Sequence, residues 1–374
     1  MTNEKAYAYK VTAAGRVNII GEHIDYCGGK VFPAALSLKN TVYVRPNGTK
    51  NINLSWTTLP DKVSLDTENL LRYKSLKYGN YQAGSALMWQ LAGKKIVGCD
   101  MLHDCTVPFG SGLSSSAAIE VSTIAALAAV AGEEIDPVEI ALLAQKAERE
   151  FAGVNCGIMD QYASACGKSG NAMLLDCKTL KCEYVPVKIG AYSLVIINCN
   201  KPHSLVESRY NERRAETDAG LEALKDIAGI TCLADLTLKQ FDRCASLLHN
   251  KIRYRVKHVV EECERVKLAQ NAMAAGDMVT LGRLLNESHT SLRYLYEVTG
   301  KELDALASAA QGHPACAGSR MTGGGFGGCT ISIVRTEAVE DFKKYVLARY
   351  EKDTGYKATC YDAEISDGIT VQKL

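Results

Sequence analysis

A segment rich in glycine and serine, residues 108–118, has the composition of a loop that binds anions. It contains two glycines and four serines and leads into an apolar, alanine-rich run at residues 119–130, which is typical of a buried helix. Such a loop presents unpaired backbone N–H groups and the positive end of the helix dipole. Serine hydroxyls add donors or a ligand for Mg²⁺. Taken alone, such a loop is more commonly a flexible turn before a helix, with a serine N-cap.

A second segment, residues 14–29, concentrates charged side chains between glycines. Arg16, Glu22, His23 and Asp25 lie close together in it. Carboxylates, arginine and histidine can hold the vicinal hydroxyls of a sugar in a fixed hydrogen-bonding pattern. The alternative is a surface turn with solvated charges. A zinc-protease motif is excluded, because no second histidine follows at helical spacing.

A third segment, residues 318–334, contains five glycines within the six positions 323–328. Their spacing is formally that of a dinucleotide-binding fingerprint, but residues 329–334 alternate like a strand, whereas that fingerprint opens a helix. Because so dense a glycine run carries a large entropic cost, it indicates backbone that passes close to a ligand or to another loop. The chain has no P-loop and no protein-kinase signature.

Two carboxylates add to the candidate chemistry. Glu148 lies near the apolar face of a helix predicted over residues 136–151, with Asp136 as N-cap and Pro137 as the first helical residue. Asp160 follows a glycine-containing turn in a stretch poor in charge. Glu148 is either a boundary charge or a functional group. Asp160 is either a helix cap or a base in a partly dry site.

Regular elements must position these segments. A spacing of three to four predicts a helix at residues 80–91, and a long helical block is expected from about residue 206 to 274. Alternating residues predict strands at 6–12, 31–57, 97–107, 172–176, 182–187 and 192–198. Basic side chains of the helical block are expected on solvated faces rather than in a nucleic-acid patch. They are Arg213, Arg214, Arg253, Arg255 and Lys257.

Composition limits the class of protein. The length of 374 residues indicates about two domains, with a boundary near residue 190. Because 43 Lys and Arg residues nearly balance 42 Asp and Glu residues, neither nucleic acid nor a membrane is expected as a partner. Fourteen cysteines without a C-x-x-C pair, behind a polar N-terminus, predict reduced thiols in a cytoplasmic protein. The longest apolar run is too short to span a bilayer.

In this order and at these intervals, the three segments resemble the motifs of the GHMP small-molecule kinases. Residues 15–26 resemble the galactokinase signature of that superfamily, and residues 156–161, 203–214 and 320–329 also match galactokinases. The resemblance covers nearly the whole chain. It implies an α/β (α+β) fold with the active site between two GHMP domains. These are residues 1–190, with a mixed sheet, and residues 191–374, with an antiparallel sheet and helices.

The resemblance also implies individual roles. Asp160 and Arg16 are implied as the catalytic pair, Tyr78 as a stacking partner of adenine, and Ser116 and Glu148 as ligands of Mg²⁺. The implied sugar-binding residues are Glu22, His23, Asp25, Gly157 and Tyr210. The implied ATP-binding residues of the loop are Gly110, Ser111, Gly112, Leu113, Ser114, Ser115 and Ser116.

The implied reaction is transfer of a phosphoryl group from ATP to the anomeric (C1) hydroxyl of D-galactose, the first step of galactose catabolism. Phosphoryl transfer depends mainly on positioning and charge stabilisation. Asp160 is expected to accept the proton of this comparatively acidic hydroxyl, either as a true base or as an electrostatic aligner, and a neighbouring Arg16 favours its ionised form. The expected state is a cytoplasmic monomer whose partners are a sugar and ATP.

Some positions depart from the galactokinase pattern. Tyr78 and Tyr294 replace a Trp and an Asp common in relatives. Ile24 and Cys27 replace the Thr and Asn commonest in bacterial galactokinases, a variant that also occurs in N-acetylgalactosamine kinases. The alternative substrate is therefore N-acetylgalactosamine or another galacto-configured sugar. A distant alternative is a non-catalytic sugar and ATP sensor, which the complete loop from residue 112 to 118 disfavours.

Overall fold

The computed structural model describes residues 4–134, 136–201 and 206–374. Within these ranges the chain forms thirteen strands and ten α-helices. The strands are β1 (Tyr9–Asn18), β2 (Lys30–Val31), β3 (Pro33–Pro46), β4 (Asn51–Trp56), β5 (Lys62–Asp66), β6 (Cys99–Cys105), β7 (Asn171–Asp176), β8 (Cys182–Pro186), β9 (Tyr192–Asn198), β10 (Cys316–Thr322), β11 (Cys329–Arg335), β12 (Thr359–Tyr361) and β13 (Thr370–Lys373). The helices are α1 (Asn80–Leu91), α2 (Ser115–Ala131), α3 (Pro137–Lys146), α4 (Met159–Cys166), α5 (Val206–Ala228), α6 (Leu238–Cys244), α7 (Asn250–Ala275), α8 (Met278–Ser291), α9 (Gly300–Gln311) and α10 (Val339–Thr354).

The largest sheet has six strands in the order β13-β1-β3-β6-β4-β5, in which β4 and β6 are parallel and the other pairs antiparallel. Strand β1 begins three residues later than predicted and continues through Arg16 to Asn18. Its register against β3 shifts between Ala14 and Arg16. A β-bulge redirects the side chains that follow it. The irregularity directly precedes Arg16, whose side chain reaches the site described below.

The other two sheets are antiparallel. One has the order β2-β7-β8, and the other has the order β10-β11-β9-β12. All strands of the four-stranded sheet come from residues beyond 190, whereas β13, at the end of the chain, pairs with β1 in the six-stranded sheet. The division of the chain into domains near residue 190 remains a prediction.

Helix α2 follows the turn of the glycine- and serine-rich loop and is the central helix of the surrounding elements. Its residues are apolar in nearly all directions, and it packs against β1, β3, α1 and α3. A helix that is apolar on every side requires burial on every side. It ends at Gly132, whose φ of 71° is the left-handed conformation that terminates helices. The predicted buried helix is confirmed, and it begins at Ser115 rather than beyond the loop.

Helix α3 also begins as predicted. The side chain of Asp136 accepts the N–H of Val138, and Pro137 occupies the first turn. Beyond Lys146 the chain continues as a π-helical turn, Ala147–Ala152. Such turns are frequent at functional sites, and this one carries Glu148.

The helical block expected over residues 206–274 is wrong as a single unit. The structure divides it into α5, α6 and α7, with a left-handed Gly229 (φ 65°) after the first helix. Helix α6 restarts at a capping box in which Thr237 accepts the N–H of Gln240. A helical pattern in the sequence does not reveal such breaks when the residues between the helices are themselves compatible with helix.

The expectation of solvated basic side chains is also wrong for two of them. Arg255 is 1% exposed and pairs with Glu216 at 2.7 Å and with Glu297. Arg213 is 7% exposed and pairs with the same Glu216 at 2.6 Å. Burial of these charges is tolerated because each has an acidic partner, and the pair between Arg255 and Glu216 joins α7 to α5.

The core is a connected cluster of buried apolar side chains that extends through the sheets and most of the helices. It includes Val11 of β1, Leu127 of α2, Ile197 of β9 and Tyr350 of α10, so both halves of the chain contribute to it. None of the helices in the described ranges is long and apolar enough to cross a membrane.

Candidate active site

A cavity of about 940 Å³ lies where the loop before α2, the turn after β1, the start of α4 and the glycine run between β10 and β11 meet. It brings together all the predicted site residues except two. The predicted residues that line it are Arg16, Glu22, His23, Asp25, Tyr78, Gly110, Gly112, Ser114, Ser115, Ser116, Glu148, Gly157, Asp160 and Tyr210. Residues 203–205 of the galactokinase-like segment lie outside the described residues.

The glycine- and serine-rich loop reaches this cavity with its backbone in left-handed conformations. Gly110 and Gly112 have φ of 66° and 74°, and Ser114 has φ of 61° directly before α2. Glycine adopts this region freely, whereas a serine held there requires support from its surroundings. The loop turns the N-terminus of a 17-residue helix toward the cavity, which favours an anion there.

Two predicted residues of the loop, Ser111 and Leu113, do not line the cavity. The Ser111 hydroxyl donates to the carbonyl of Pro108 at 2.7 Å, and Leu113 is fully buried. The Leu113 carbonyl accepts the N–H of Arg16 at 3.0 Å, which fastens the loop to β1. These two residues therefore shape the loop and do not face the cavity.

The glycine run packs against this loop at distances that leave no room for side chains. A Cβ on Gly323 would lie 2.6 Å from the carbonyl oxygen of Gly112, and one on Gly328 would lie 2.7 Å from that of Ser111. Both glycines also have positive φ, 87° and 89°. The prediction that this backbone passes close to another loop is confirmed, and the density of glycine has a steric cause.

Arg16 and Asp160 form a bidentate ion pair in the cavity wall. Nε and one Nη of Arg16 donate to the two carboxylate oxygens at 2.9 Å each, and the other Nη donates to the carbonyl of Gly112 at 2.6 Å. The hydroxyl of Ser114 donates to the same carboxylate at 2.6 Å. The side chain of Asp160 remains 29% exposed, whereas that of Arg16 is 3% exposed. The result is a fixed, accessible carboxylate beside the loop.

Glu148 fits a role as a ligand of a divalent cation. It is 7% exposed, and burial together with the charge of Asp160 raises its pKa to about 7, against hydrogen bonds from Ser116 and Gln161. A cation would offset this cost. In the described ranges, no group of three or more His, Cys, Asp and Glu side chains could hold a metal ion. An ion here would therefore depend on phosphate oxygens, as Mg²⁺ commonly does.

Glu120 is a further candidate functional residue, and it was not predicted from the sequence. It is fully buried within α2, where burial and then the charge of Glu148 raise its pKa well above the usual value. The amide nitrogen of Gln161 lies 3.4 Å from the Glu120 carboxyl and also contacts Glu148. Gln161 therefore bridges two buried carboxyl groups. The available signal was one acidic residue in an otherwise apolar helix.

Asp25 and Gly157 are fitted to each other. A Cβ on Gly157 would lie 1.8 Å from Oδ2 and 2.2 Å from Cγ of Asp25, so only glycine leaves that carboxylate in place. Asp25 is 9% exposed, and burial together with the nearby charge of Asp160 raises its pKa to about 6. A poorly hydrated carboxylate of this kind is a strong acceptor for a ligand hydroxyl.

Glu22 is held by the third segment. Its Oε1 accepts from Arg320 and from the Thr322 hydroxyl, both at 3.1 Å, and from the Gly323 N–H at 2.8 Å. The side chain is 1% exposed but lines the cavity, which leaves Oε2 for a ligand. Arg320, fully buried beside the glycine run, was not singled out from the sequence.

His23 sits among aromatic rings with both ring nitrogens engaged. Nε2 lies 3.1 Å from the carbonyl oxygen of Gly324, and Nδ1 lies 2.7 Å from the hydroxyl of Tyr26, which in turn is 2.8 Å from that of Tyr296. The ring centroid is 5.5 Å from Tyr210 and 4.8 Å from Tyr296. Burial lowers the pKa of His23 to about 3, so the ring is neutral.

An aromatic group forms another part of the wall. The rings of Tyr78 and Trp56 have centroids 6.3 Å apart, and Lys77 lies 5.0 Å from the Tyr78 centroid. Phe109 of the loop is 59% exposed and also lines the cavity. Flat apolar faces of this kind suit a purine base. Stacking of Tyr78 on adenine remains a prediction.

Of the four positions that depart from the galactokinase pattern, Tyr78 lines the cavity, whereas Ile24, Cys27 and Tyr294 do not. Ile24 and Cys27 are 0% and 6% exposed and pack into the core. Tyr294 is 63% exposed and lines a separate surface groove. Among the described residues, none of these three side chains lines the cavity, and the structure does not explain the substitution at Tyr294.

Comparison with known families defines the class of protein. The chain matches the family described as GHMP kinases N terminal domain over residues 80–168 and the family GHMP kinases C terminal over residues 268–352. Residues 3–46 match the galactokinase galactose-binding signature. The fold is therefore that of a GHMP kinase.

Individual relatives narrow this class. The galactokinase of Clostridium tetani is 44% identical over 356 residues, which cover 95% of this chain and 91% of that protein. A crystal structure of Lactococcus lactis galactokinase complexed with galactose is 40% identical, with a TM-score of 0.95, covering 98% of this chain and 95% of that one. The mevalonate kinase of Methanococcus jannaschii, 17% identical with a TM-score of 0.67 over 97% of this chain and 100% of its own, shares the fold alone. The chain belongs to the galactokinase family, which confirms the predicted GHMP fold and kinase activity.

Proposed function

We propose that this protein transfers the γ-phosphoryl group of ATP to the anomeric hydroxyl of D-galactose, giving galactose 1-phosphate and ADP. One observation carries the proposal. The Asp160 carboxylate, held by Arg16 and Ser114, stands between the phosphate-binding loop and the buried carboxylates Glu22 and Asp25. A hydroxyl that attacks a phosphoryl group needs a proton acceptor on one side and the nucleotide on the other, and a carboxylate and a loop suited to phosphates are both present here.

The nucleotide is assigned to the loop from Gly110 to Ser116. Its left-handed backbone and the N-terminus of α2 supply N–H donors for the phosphates. The base is assigned to the aromatic wall that contains Tyr78. Since Gly112 also accepts a hydrogen bond from Arg16, a nucleotide that orders the loop would also order the catalytic pair.

Asp160 is assigned the proton of the C1 hydroxyl. Its two oxygens are fixed by three donors, so it is aligned before substrate arrives. As the oxygen–phosphorus bond forms, the hydroxyl becomes more acidic and its proton passes to the carboxylate. Arg16 keeps a positive charge beside the reacting groups throughout.

Ser116 and Glu148 are assigned as protein ligands of Mg²⁺. When bound, this ion neutralises negative charge on the transferring phosphoryl group. Glu148 lies in a π-helical turn, and its carboxylate is oriented by hydrogen bonds from Ser116 and from the amide of Gln161. Gln161, itself fully buried, therefore supports the ligand through its amide nitrogen.

The sugar is assigned to the pocket formed by Glu22, His23, Asp25, Gly157 and Tyr210. A neutral sugar is recognised by directed hydrogen bonds, and an epimer that misplaces one hydroxyl leaves a buried polar group unpaired. Two findings support galactose: the match to the galactose-binding signature and the similarity to a galactokinase solved with galactose.

The proposal also includes three properties of the protein as a whole. These are two domains divided near residue 190, a monomeric state and a cytoplasmic location. The resemblance to galactokinases supports all three, and the balance of 43 basic against 42 acidic residues supports a protein without polyanionic partners. Light scattering on the purified chain measures the oligomeric state directly.

A coupled ADP-release assay tests the reaction. The assay contains ATP and Mg²⁺ with D-galactose, 2-deoxygalactose, N-acetylgalactosamine, galacturonate, glucose or L-arabinose. Turnover with the highest kcat/KM for galactose is expected. A preference for N-acetylgalactosamine would replace the substrate, and absence of turnover with ATP still bound would favour a sensor.

A further inference from the structure

Two tyrosines behind the sugar pocket have no part in the reaction as proposed. Tyr26 lies in the 3₁₀ turn Asp25–Cys27 and is half-buried, and Tyr296 ends the π-helical turn Leu292–Tyr296 and is fully buried. Neither lines the cavity among the described residues. A buried tyrosine hydroxyl usually has a hydrogen-bond partner. Here the two hydroxyls are partners of each other, and Tyr26 is also the partner of His23.

The proton positions along this chain of groups follow from its far end. A carbonyl oxygen only accepts, so Nε2 of His23 must donate to Gly324. In a neutral imidazole the other nitrogen, Nδ1, then has to accept, and its partner is the hydroxyl of Tyr26. Because the Tyr26 hydroxyl donates its proton to the hydrogen bond with His23, its oxygen accepts a hydrogen bond from the Tyr296 hydroxyl. All four groups are then satisfied by one arrangement of protons.

We propose that Tyr26 is a positioning residue that fixes His23 as its Nε2–H tautomer. Through that tautomer, the turn that carries Asp25 is fastened to the glycine run at Gly324. Tyr296 holds the Tyr26 hydroxyl in the orientation that this requires. The kinetic consequence rests on the proposed galactokinase function, whereas the tautomer does not depend on it.

The surroundings show why the turn needs this fixation. His23 has φ of 61°, a left-handed conformation that a non-glycine residue holds only with external support. Without the Tyr26 hydroxyl, Nδ1 would be a buried acceptor without a donor, or the proton would move to Nδ1 and the bond to Gly324 would be lost. Arg214 lies 5.2 Å from the Tyr26 ring centroid, so the ring of a phenylalanine would remain packed there.

The kinetic test uses Tyr26→Phe, with Tyr184→Phe as matched control. Tyr184 is also half-buried and donates to a carbonyl, that of Cys166, at 2.7 Å, but it lies outside the cavity wall. We expect Tyr26→Phe to raise the KM for galactose about tenfold, the cost of one unsatisfied buried acceptor, and to change the KM for ATP less than about twofold. The control should keep both values.

The structural test is nitrogen-15 NMR of the His23 ring, which distinguishes the two tautomers in the sugar-free protein. We expect the Nε2–H form in the wild type and a population of the Nδ1–H form in Tyr26→Phe. An Nδ1–H wild type overturns the proposal without any variant. An unchanged tautomer or an unchanged galactose KM in folded Tyr26→Phe also overturns it. If the wild type does not phosphorylate galactose, the tautomer still tests the positioning role of Tyr26 separately from the proposed function.

Discussion

The two ends of the cleft are built by different means. At the phosphate end, the contacts on offer are backbone groups: left-handed glycines, the N-terminus of α2 and a glycine run packed so closely that a Cβ on Gly323 would lie 2.6 Å from the Gly112 carbonyl oxygen. At the sugar end, they are buried side chains such as Glu22 and Asp25. Glu22 is held by a hydrogen bond from the Gly323 N–H, and Asp25 keeps its position because Gly157 has no side chain to clash with it. The phosphate end therefore depends on glycines that lack side chains, whereas the sugar end depends on carboxylate side chains.

This difference follows from the two ligands. Phosphate groups carry charge and are alike in every nucleotide, so N–H groups and a helix dipole suffice to bind them. A sugar is neutral and differs from its epimers in the direction of single hydroxyls, so it requires directed acceptors in a dry pocket. The dry pocket costs free energy because carboxylates are desolvated there, as the raised pKa of Asp25 shows. Asp160, bonded to both Arg16 and Ser114, stands where the two ends meet.

The largest effect is expected from a change at this junction. Asp160→Asn should lower kcat by about 10³-fold or more, because it removes the proton acceptor. ATP affinity, measured by calorimetry, should stay within about threefold, since the loop backbone is unchanged. Asp100→Asn is the matched control, because its side chain is 28% exposed against 29% for Asp160 and pairs with Arg45. Wild-type turnover of Asp160→Asn would remove Asp160 from the mechanism.

The next effect separates the two ends. Gly157→Ala places a methyl group 1.8 Å from the Asp25 carboxylate, and Gly323→Ala places one 2.6 Å from the Gly112 carbonyl. We expect the first to raise the KM for galactose at least about tenfold and the second to raise the KM for ATP by a similar factor.

Gly312→Ala is the control for both variants. Its Cβ would meet ordinary contacts of 3.4 Å or more, so both KM values should be retained. If Gly157→Ala and Gly323→Ala changed the two KM values equally, the comparison between a backbone-built end and a side-chain-built end would fail.

A pH dependence of galactose binding is expected from the sugar end. The pKa of Asp25 is raised from its ordinary 3.8 to about 6, so the folded state binds a proton more tightly than the unfolded state. The stability that this contributes is complete below about pH 4 and is lost as the pH rises through about 6. Sugar binding needs the ionised acceptor, so the KM for galactose should rise as the pH falls below about 6.

Stability and sugar affinity should thus move in opposite directions between about pH 6 and pH 4. Galactose KM and urea unfolding, each measured for the wild type and Asp25→Asn, test this. The variant should lose the pH dependence of the galactose KM, and its stability should fall less than that of the wild type as the pH rises from about 4 to about 6. A galactose KM that stays flat down to about pH 5 would contradict the assignment of Asp25 as an ionised acceptor.

Local and repeated signals were readable from the sequence. The cap of α3 at Asp136, the apolar helix α2 and the glycine run each depend on neighbouring residues, and each was predicted. The resemblance to galactokinases supplied the roles of Arg16 and Asp160, which lie 144 positions apart and meet only in the fold.

Long-range pairing of charges was not readable. Arg255 and Glu216 are on different helices, 39 positions apart, and a sequence shows both charges without showing that they neutralise each other. The hydrogen bond from the neutral amide of Gln161 to Glu120, 41 positions apart, was not readable either. The sequence likewise could not show that Ser111 and Leu113 turn away from the cavity, because the loop's composition does not specify which of its residues face inward.

The smallest effect on activity is expected at Ile24. This residue departs from the common galactokinase pattern and adjoins His23 and Asp25, yet its side chain is fully buried in the core and does not line the cavity. Ile24→Thr should lower the free energy of unfolding by about 1–3 kcal/mol, because it removes a methylene and buries a hydroxyl. The ratio of kcat/KM for galactose to that for N-acetylgalactosamine should stay within about twofold.

Ile331→Thr, at an equally buried position of β11, is the control for stability loss alone. A tenfold or greater change of the ratio in Ile24→Thr, with Ile331→Thr unchanged, would mean that the backbone of the turn transmits core packing to the sugar pocket. Selectivity at the sugar end would then not reside in the cavity wall alone.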